Sequence, residues 1–192
     1  MNSIQFRNKF IEACKKGDLY AVKNLIDRGI DPSMNDDEAI QLASFHGHTE
    51  IVEYLLDDIR VNPCANYNYA IRTACMDNSI DIVRVLLSKN VDPSACFNQC
   101  IIYCCKYNHI DLYDLLIKDV RVNPFKTGGD STILRAARHD DTELLYRLLT
   151  DPRFENNMLE NPELSLFYKN VDKVILRIRQ DNVDFILNKI YG

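Results

Sequence analysis

The sequence predicts an all-α fold: a helix-turn-helix solenoid of about five repeats with a degenerate C-terminal helical cap. Three observations predict it. Five segments align without gaps, and their first residues, Ala13, Ala43, Ala74, Cys104 and Ala136, lie 30, 31, 30 and 32 positions apart. Pro32, Pro63, Pro93 and Pro124 keep the same period, at intervals of 31, 30 and 31. Within each unit apolar residues fall at helical spacing, as at Ile51, Val52, Leu55 and Leu56. A helix pair of about 30 residues cannot bury its own apolar face, but stacked on its neighbours it can.

The aligned segments are 13–26 (ACKKGDLYAVKNLI), 43–56 (ASFHGHTEIVEYLL), 74–87 (ACMDNSIDIVRVLL), 104–117 (CCKYNHIDLYDLLI) and 136–149 (AARHDDTELLYRLL). Each unit opens with a short helix, such as 38–45. A polar break follows: Gly17-Asp18, Gly47-His48, Asn78-Ser79, Asn108-His109 or Asp140-Asp141. Glu50, Asp81, Asp111 and Glu143 then fall in the first turn of the second helix, where a carboxylate meets the positive end of the helix dipole for about 0.3–1 kcal/mol. His48 and His109 stand just before that helix and are expected to cap it. The second helix runs into Gly29 in the first unit and Asn90 in the third, residues that tolerate a left-handed stop. In the second and fourth units the stop is one residue longer, ending in RVNP at 60–63 and 121–124. Proline fixes φ and lacks a donor N–H, so the chain leaves the helix there.

These residues resemble ankyrin repeats. His48–Leu56 (HTEIVEYLL) and Ser79–Leu87 (SIDIVRVLL) are similar to the family's second-helix signature, and Gly29–Ser33 (GIDPS) to its helix stop. The resemblance covers about residues 5–155. The alternation of RVNP stops with the first helices AIQLA and AIRTA further resembles ankyrin proteins of giant DNA viruses and protists. There are departures. The family's Thr-Pro-Leu-His helix start is replaced by 38–41 (EAIQ), 69–72 (YAIR), 99–102 (QCII) and 131–134 (STIL). The hydrogen bonds that Thr and His supply must be lost or rebuilt. Asp36, Tyr67 and Phe97 stand where the family has a hairpin-tip glycine, which Gly128-Gly129 alone retains, so shorter or irregular hairpins are expected. The predicted organisation is a repeat stack over 1–155, followed by a degenerate sixth repeat acting as a cap over 156–192, with its last helix at about 172–191.

Composition bounds the function. The 192 residues are 46% hydrophobic and 27% charged, ordinary values for a globular chain. The longest apolar run, Cys100 to Cys105, is six residues, against about 20 for a membrane span. The first residues lack the apolar core of a secretory signal. A net charge of −5 argues against a general nucleic-acid binder. A monomer in the cytoplasm is expected, the host cytoplasm if the chain is viral, with neither nucleic acid nor membrane as partner. Seven cysteines, an odd number, point to reduced thiols rather than a disulfide scaffold. Cys104 aligns with Ala13, Ala43, Ala74 and Ala136, and Cys14, Cys75 and Cys105 align with Ser44 and Ala137. Cysteine thus behaves as a small buried hydrophobe. No Cys-x-x-Cys pair, nucleotide loop or nucleophile motif is present, so no cofactor, metal or catalytic residue is expected.

One set of residues departs from a merely solvated surface. In the ankyrin family the residues just after the small pair of the first helix face the concave side. Here they include Phe45, His46, Met76, Lys106, Tyr107, Arg138 and His139, with Asp77 the single acid. Tyr67, Tyr69 and Phe97 near the hairpin tips extend the same surface. Residues 31–160 carry a net −9, against +3 for 1–30 and +1 for 161–192, so cations on this register stand out from an acidic repeat body. Aromatic and cationic anchors are what interface centres favour. The expected function is non-catalytic recognition of a partner protein through the concave face and hairpin tips. Two alternatives are an adaptor whose C-terminal segment recruits host ubiquitin-ligase machinery, and a thiol- or metal-dependent enzyme.

Overall fold

The computed structural model describes residues 3–127, 132–136 and 143–154, which form ten α-helices and no strand. They come as five pairs in register with the aligned segments: α1 (Ser3–Lys16) and α2 (Leu19–Asp27), α3 (Met34–Phe45) and α4 (Thr49–Leu56), α5 (Ala65–Met76) and α6 (Ile80–Ser88), α7 (Ala95–Tyr107) and α8 (Ile110–Leu116), and α9 (Thr132–Ala136) and α10 (Glu143–Leu149). The cap expected over 156–192, the glycines Gly128-Gly129, and Arg138 and His139 lie outside the described residues.

The chain divides into two compact units, Met1–Cys96 and Phe97–Gly192. In the first, α1, α3 and α5 pack side by side as one layer, and α2, α4 and α6 form the second. The small pairs read from the sequence are what lets the first layer close up: Ala39, Ala43, Ala70, Ala74 and Cys75 are buried. Ile51, Val52 and Leu55 of α4 and Ile82, Val83 and Leu86 of α6 fill the space between layers. Each such side chain contributes about 1.5–3 kcal/mol by leaving water. In the second unit Ile101, Cys104 and Cys105 of α7, Leu112 and Leu116 of α8, and Leu144, Leu145 and Leu148 of α10 are buried in the same register.

The left-handed stops fall where glycine and asparagine predict them. Gly29 has φ +93° and Asn90 φ +61°. There Ile30 N–H donates to Leu25 O at 3.1 Å and Val91 N–H to Leu86 O at 3.2 Å, which satisfies carbonyls that the helix end would orphan. The break inside each hairpin uses the same device. Gly17, Gly47, Asn78 and Asn108 all have positive φ. The N–H after each donates back to the carbonyl of Ala13, Ala43, Ala74 or Cys104 at 2.9–3.0 Å.

At the start of α3, α5 and α7, just inside each element, the chain makes a left-handed turn. Asn35, Asp36 and Asp37 have φ +55°, +55° and +60°, and Asn66–Asn68 and Cys96–Asn98 repeat the conformation. Asn and Asp tolerate it because a short polar side chain bonds locally; Tyr67 and Phe97, with bulky Cβ substituents, are strained there by about 1–2 kcal/mol each.

The third residue of each turn is buried and ties one repeat to the next. Asp37 Oδ1 accepts from Asn62 N–H at 2.8 Å. Asn68 Nδ2–H donates to Asp92 O at 2.9 Å. Asn98 does both, accepting from Asn123 N–H at 2.9 Å and donating to Lys126 O at 2.8 Å. The residues just ahead of 38–41, 69–72 and 99–102 thus each supply an inter-repeat bond. The loop they grip is itself ordered. Asp31, Asn62, Asp92 and Asn123, each just before a proline, accept the N–H two residues on at 2.8–3.0 Å. Such Asx turns are the local reason the period is marked by proline.

Candidate interaction surface

In the first unit the register after the small pair carries Phe45, His46 and Met76. Phe45 is 38% exposed, His46 is exposed and Met76 half-buried. The His46 ring meets Phe45 edge-on at 5.0 Å and stacks on His48 at 6.2 Å. His48 and His109 stand at the N-cap positions of α4 and α8, but neither side chain caps its helix. His48 instead reaches the preceding repeat: its Nε2–H donates to Lys15 O at 2.8 Å. The expected cap is thus an inter-repeat tie, and Gly17 is required beneath it, because a Cβ there would lie 2.7 Å from the His48 ring.

At the tip, Tyr67 is 79% exposed. Its turn is held from behind by Arg72, whose Nε–H donates to Tyr67 O at 3.0 Å while the guanidinium lies 5.5 Å from the half-buried Tyr69 ring. Gln41 serves the corresponding turn of the preceding repeat by donating to Asp36 O. Arg72 and Gln41 were not singled out in the sequence; their shared register, 31 residues apart, was the available signal.

In the second unit Phe97 is 74% exposed at the start of α7 and Tyr107 is 41% exposed at its end. Between them the helix builds a ladder on one face. Gln99 Nε2–H donates to the Tyr103 hydroxyl at 2.9 Å, Tyr103 stacks on Tyr107 at 6.1 Å, and Tyr107 stacks on His109 at 5.7 Å. The exposed Lys106 ammonium lies 4.7 Å from the Tyr107 ring centroid. Tyr103 and Gln99 escaped the sequence reading, although their four-residue spacing from Tyr107 places them on its helix face.

Several described carboxylates elsewhere are shifted by their local partners. Hydrogen bonds from Arg60 pull Asp58 down to about 2, and Arg121 lowers Asp119 in the same way. Burial pushes Asp151 upward, but the paired Arg153 outweighs it and leaves the carboxyl low. In each case the arginine two residues on makes a forked pair, with one N···O distance of 2.6 Å. Hydrogen bonds from Ser33 lower Asp31. Burial raises Asp37 despite the bond from Asn62.

Five cysteines, Cys14, Cys75, Cys100, Cys104 and Cys105, are buried as free thiols, as their alignment with alanine implies, while Cys64 and Cys96 are exposed. Burial pushes Cys14 up to about 12 and Cys104 well above the ordinary thiol range, so these are poor nucleophiles. Among the described residues no group of three or more His, Cys, Asp or Glu side chains could hold a metal ion. Nor is any described helix long and apolar enough to cross a membrane.

Residues 10–96 match the family of ankyrin repeats in three copies. Over 86 residues the chain is 33% identical to ankyrin repeat protein L66 of Acanthamoeba polyphaga mimivirus, which covers 45% of this chain. The chain spans 14% of that relative's length. Among solved structures, the human ASB11 ankyrin repeat domain matches with a TM-score of 0.63 at 20% identity, covering 73% of this chain and 67% of that one. That likeness is one of fold.

Proposed function

We propose, from the premise that this chain is built of ankyrin repeats, that it is a non-catalytic module that recognises another protein through the concave register and the left-handed tips. Ankyrin repeats in general mediate protein–protein interaction. The observation that carries the proposal here is the strained exposure of Tyr67 and Phe97. Both hold a left-handed backbone that disfavours a bulky side chain, and both present an aromatic ring to water. Asp36 shows that a small polar residue suits the position, so the turn itself does not demand an aromatic ring. A reducing cytoplasm, the host's if the chain is viral, is the proposed setting, in keeping with five buried free thiols.

The test is affinity capture with the intact chain against a variant carrying Tyr67→Ser and Phe97→Ser, followed by direct binding of each captured protein. Proteins that bind the intact chain and are lost by the variant support the proposal. Full retention of every partner by a folded variant contradicts it.

A further inference from the structure

We infer that the outer face of the α1–α2 hairpin docks an acidic helix of another protein. This goes beyond the concave register and the tips proposed above. A cleft of about 400 Å³ opens on that face, lined by Lys9 and Lys16 of α1 and by Tyr20, Asn24 and Leu25 of α2, with Arg28 at its end. Tyr20 is 81% exposed, and Lys9, Lys16, Asn24 and Arg28 are exposed as well.

The repeat register tells what such a face receives. Asp18 shares its position with His48, Asn24 with Tyr54 and Arg147, and Arg28 with Lys89. All four of those later side chains reach back to the preceding repeat. His48 donates to Lys15 O at 2.8 Å, the Tyr54 ring takes the Lys23 ammonium at 5.1 Å, Lys89 lies 3.6 Å from Asp57, and Arg147 donates to Asp114 at 2.8 Å. This is therefore the side on which a later repeat packs against a helix pair. In two of these contacts the later repeat brings the cation and the earlier second helix brings the carboxylate: Asp57 ends α4 and Asp114 lies within α8.

In the first repeat the same side presents cations without that carboxylate. Arg28 lies over the Phe6 ring at 4.6 Å, and among the described residues neither Arg28 nor Lys9 pairs with an acid. The two acids of the cleft are engaged. Glu12 lies 3.3 Å from Lys15 and 4.0 Å from Lys16, and Asp18 Oδ1 accepts Ala21 N–H at 2.9 Å. Tyr20 occupies the position that Glu50, Asp81, Asp111 and Glu143 fill in the other repeats, so an acid is missing there. Residues 1–30 carry +3, against −9 for 31–160. A terminal repeat needs a polar outer face for solubility, but not one biased to cations around an exposed aromatic ring. Ala21 stands where the buried Ile51, Ile82, Leu112 and Leu144 stand, which leaves room beside Leu25 for an apolar side chain of the occupant. The face thus suits a helix with carboxylates toward Arg28 and Lys9 and an apolar residue toward Ala21.

The test selects a displayed library of helix-forming peptides, about twenty residues long, on the full-length protein, and titrates synthetic copies of the enriched peptides by fluorescence anisotropy. The expected result is net-acidic peptides that gain helical circular dichroism on binding and whose affinity falls about tenfold or more with Arg28→Glu and with Lys9→Glu. Arg28→Gln, which keeps the side chain polar, should weaken them in the same direction by less. The melting temperatures of these variants should match the parent's. Tyr67→Ser with Phe97→Ser should leave the affinity unchanged, which separates this face from the tips. Neutral or basic peptides, or peptides indifferent to both charge reversals, would overturn the proposal. Acidic peptides that bind here without gaining helix would overturn the helical occupant. Self-association of the parent in sedimentation, abolished by Arg28→Glu, would overturn the foreign partner and make the occupant a second copy.

Discussion

Asp37, Asn68 and Asn98 occupy one position in successive repeats, yet one of them is a charged group. Burial raises Asp37 above its ordinary value. A raised folded value means that the protonated form folds more favourably. Any stabilisation is therefore complete below the unfolded value, near pH 4, and is lost as the pH rises through the folded value. At neutral pH the Asp37 charge is a net burden that Asn would not carry. Asp37→Asn keeps an acceptor for Asn62 N–H and suits the left-handed backbone equally well. It should leave stability at pH 7 unchanged or raised in urea unfolding; a loss above about 1 kcal/mol would show that the ionised form is needed. Asn98→Ala should behave oppositely. It removes two buried hydrogen bonds, and the cost should be about 2 kcal/mol or more. Tyr113 gives a contrasting case: its buried hydroxyl meets no hydrogen-bond partner among the described residues, so Tyr113→Phe should be neutral or stabilising in thermal melts.

At the scale of the element, each hairpin depends on a left-handed break. Gly17→Ala should destabilise by about 1 kcal/mol from backbone strain alone, and by more because the new Cβ meets the His48 ring. In a His48→Ala background the second part should vanish, so a double-mutant cycle separates them. The Asp–Arg forks that follow α4, α8 and α10 predict a pH effect. Their carboxylates sit below the ordinary value, so their stabilisation is present above about pH 4 and is lost as pH falls toward the folded value. Arg121→Gln should therefore lower the urea midpoint at pH 7, and the difference from the parent should shrink toward pH 3; a constant difference would make the arginine's role one of packing. The hairpins and their stops were legible in the sequence because period, proline, Gly29 and Asn90 each have a local physical cause. The left-handed turn was not. Glycine was sought at the tip, where Tyr67 and Phe97 stand. The informative residue is the one after it: Asp37, Asn68 and Asn98, with Asp130 in the same register, keep intervals of 31, 30 and 32.

At the scale of the whole sequence, the repeat period marks positions that no local motif announces. Phe45, Met76, Lys106 and Tyr107 were found by register alone, and the structure gives each of them exposed or half-buried surface. Burial could not be read from register, which is why Tyr107's contacts with Tyr103 and His109 appear only in three dimensions. Those contacts set up two opposed possibilities for Tyr107, a binding anchor or a packing residue, and one measurement decides between them. Tyr107→Ala is compared with the parent both for melting temperature and for affinity to a partner obtained by capture on the intact chain. A binding anchor predicts a loss of about 2 kcal/mol or more in binding, with the melting temperature moved by no more than about 2 °C. A fall of about 5 °C or more, with the affinity of the folded fraction intact, would contradict the assignment of this face to recognition.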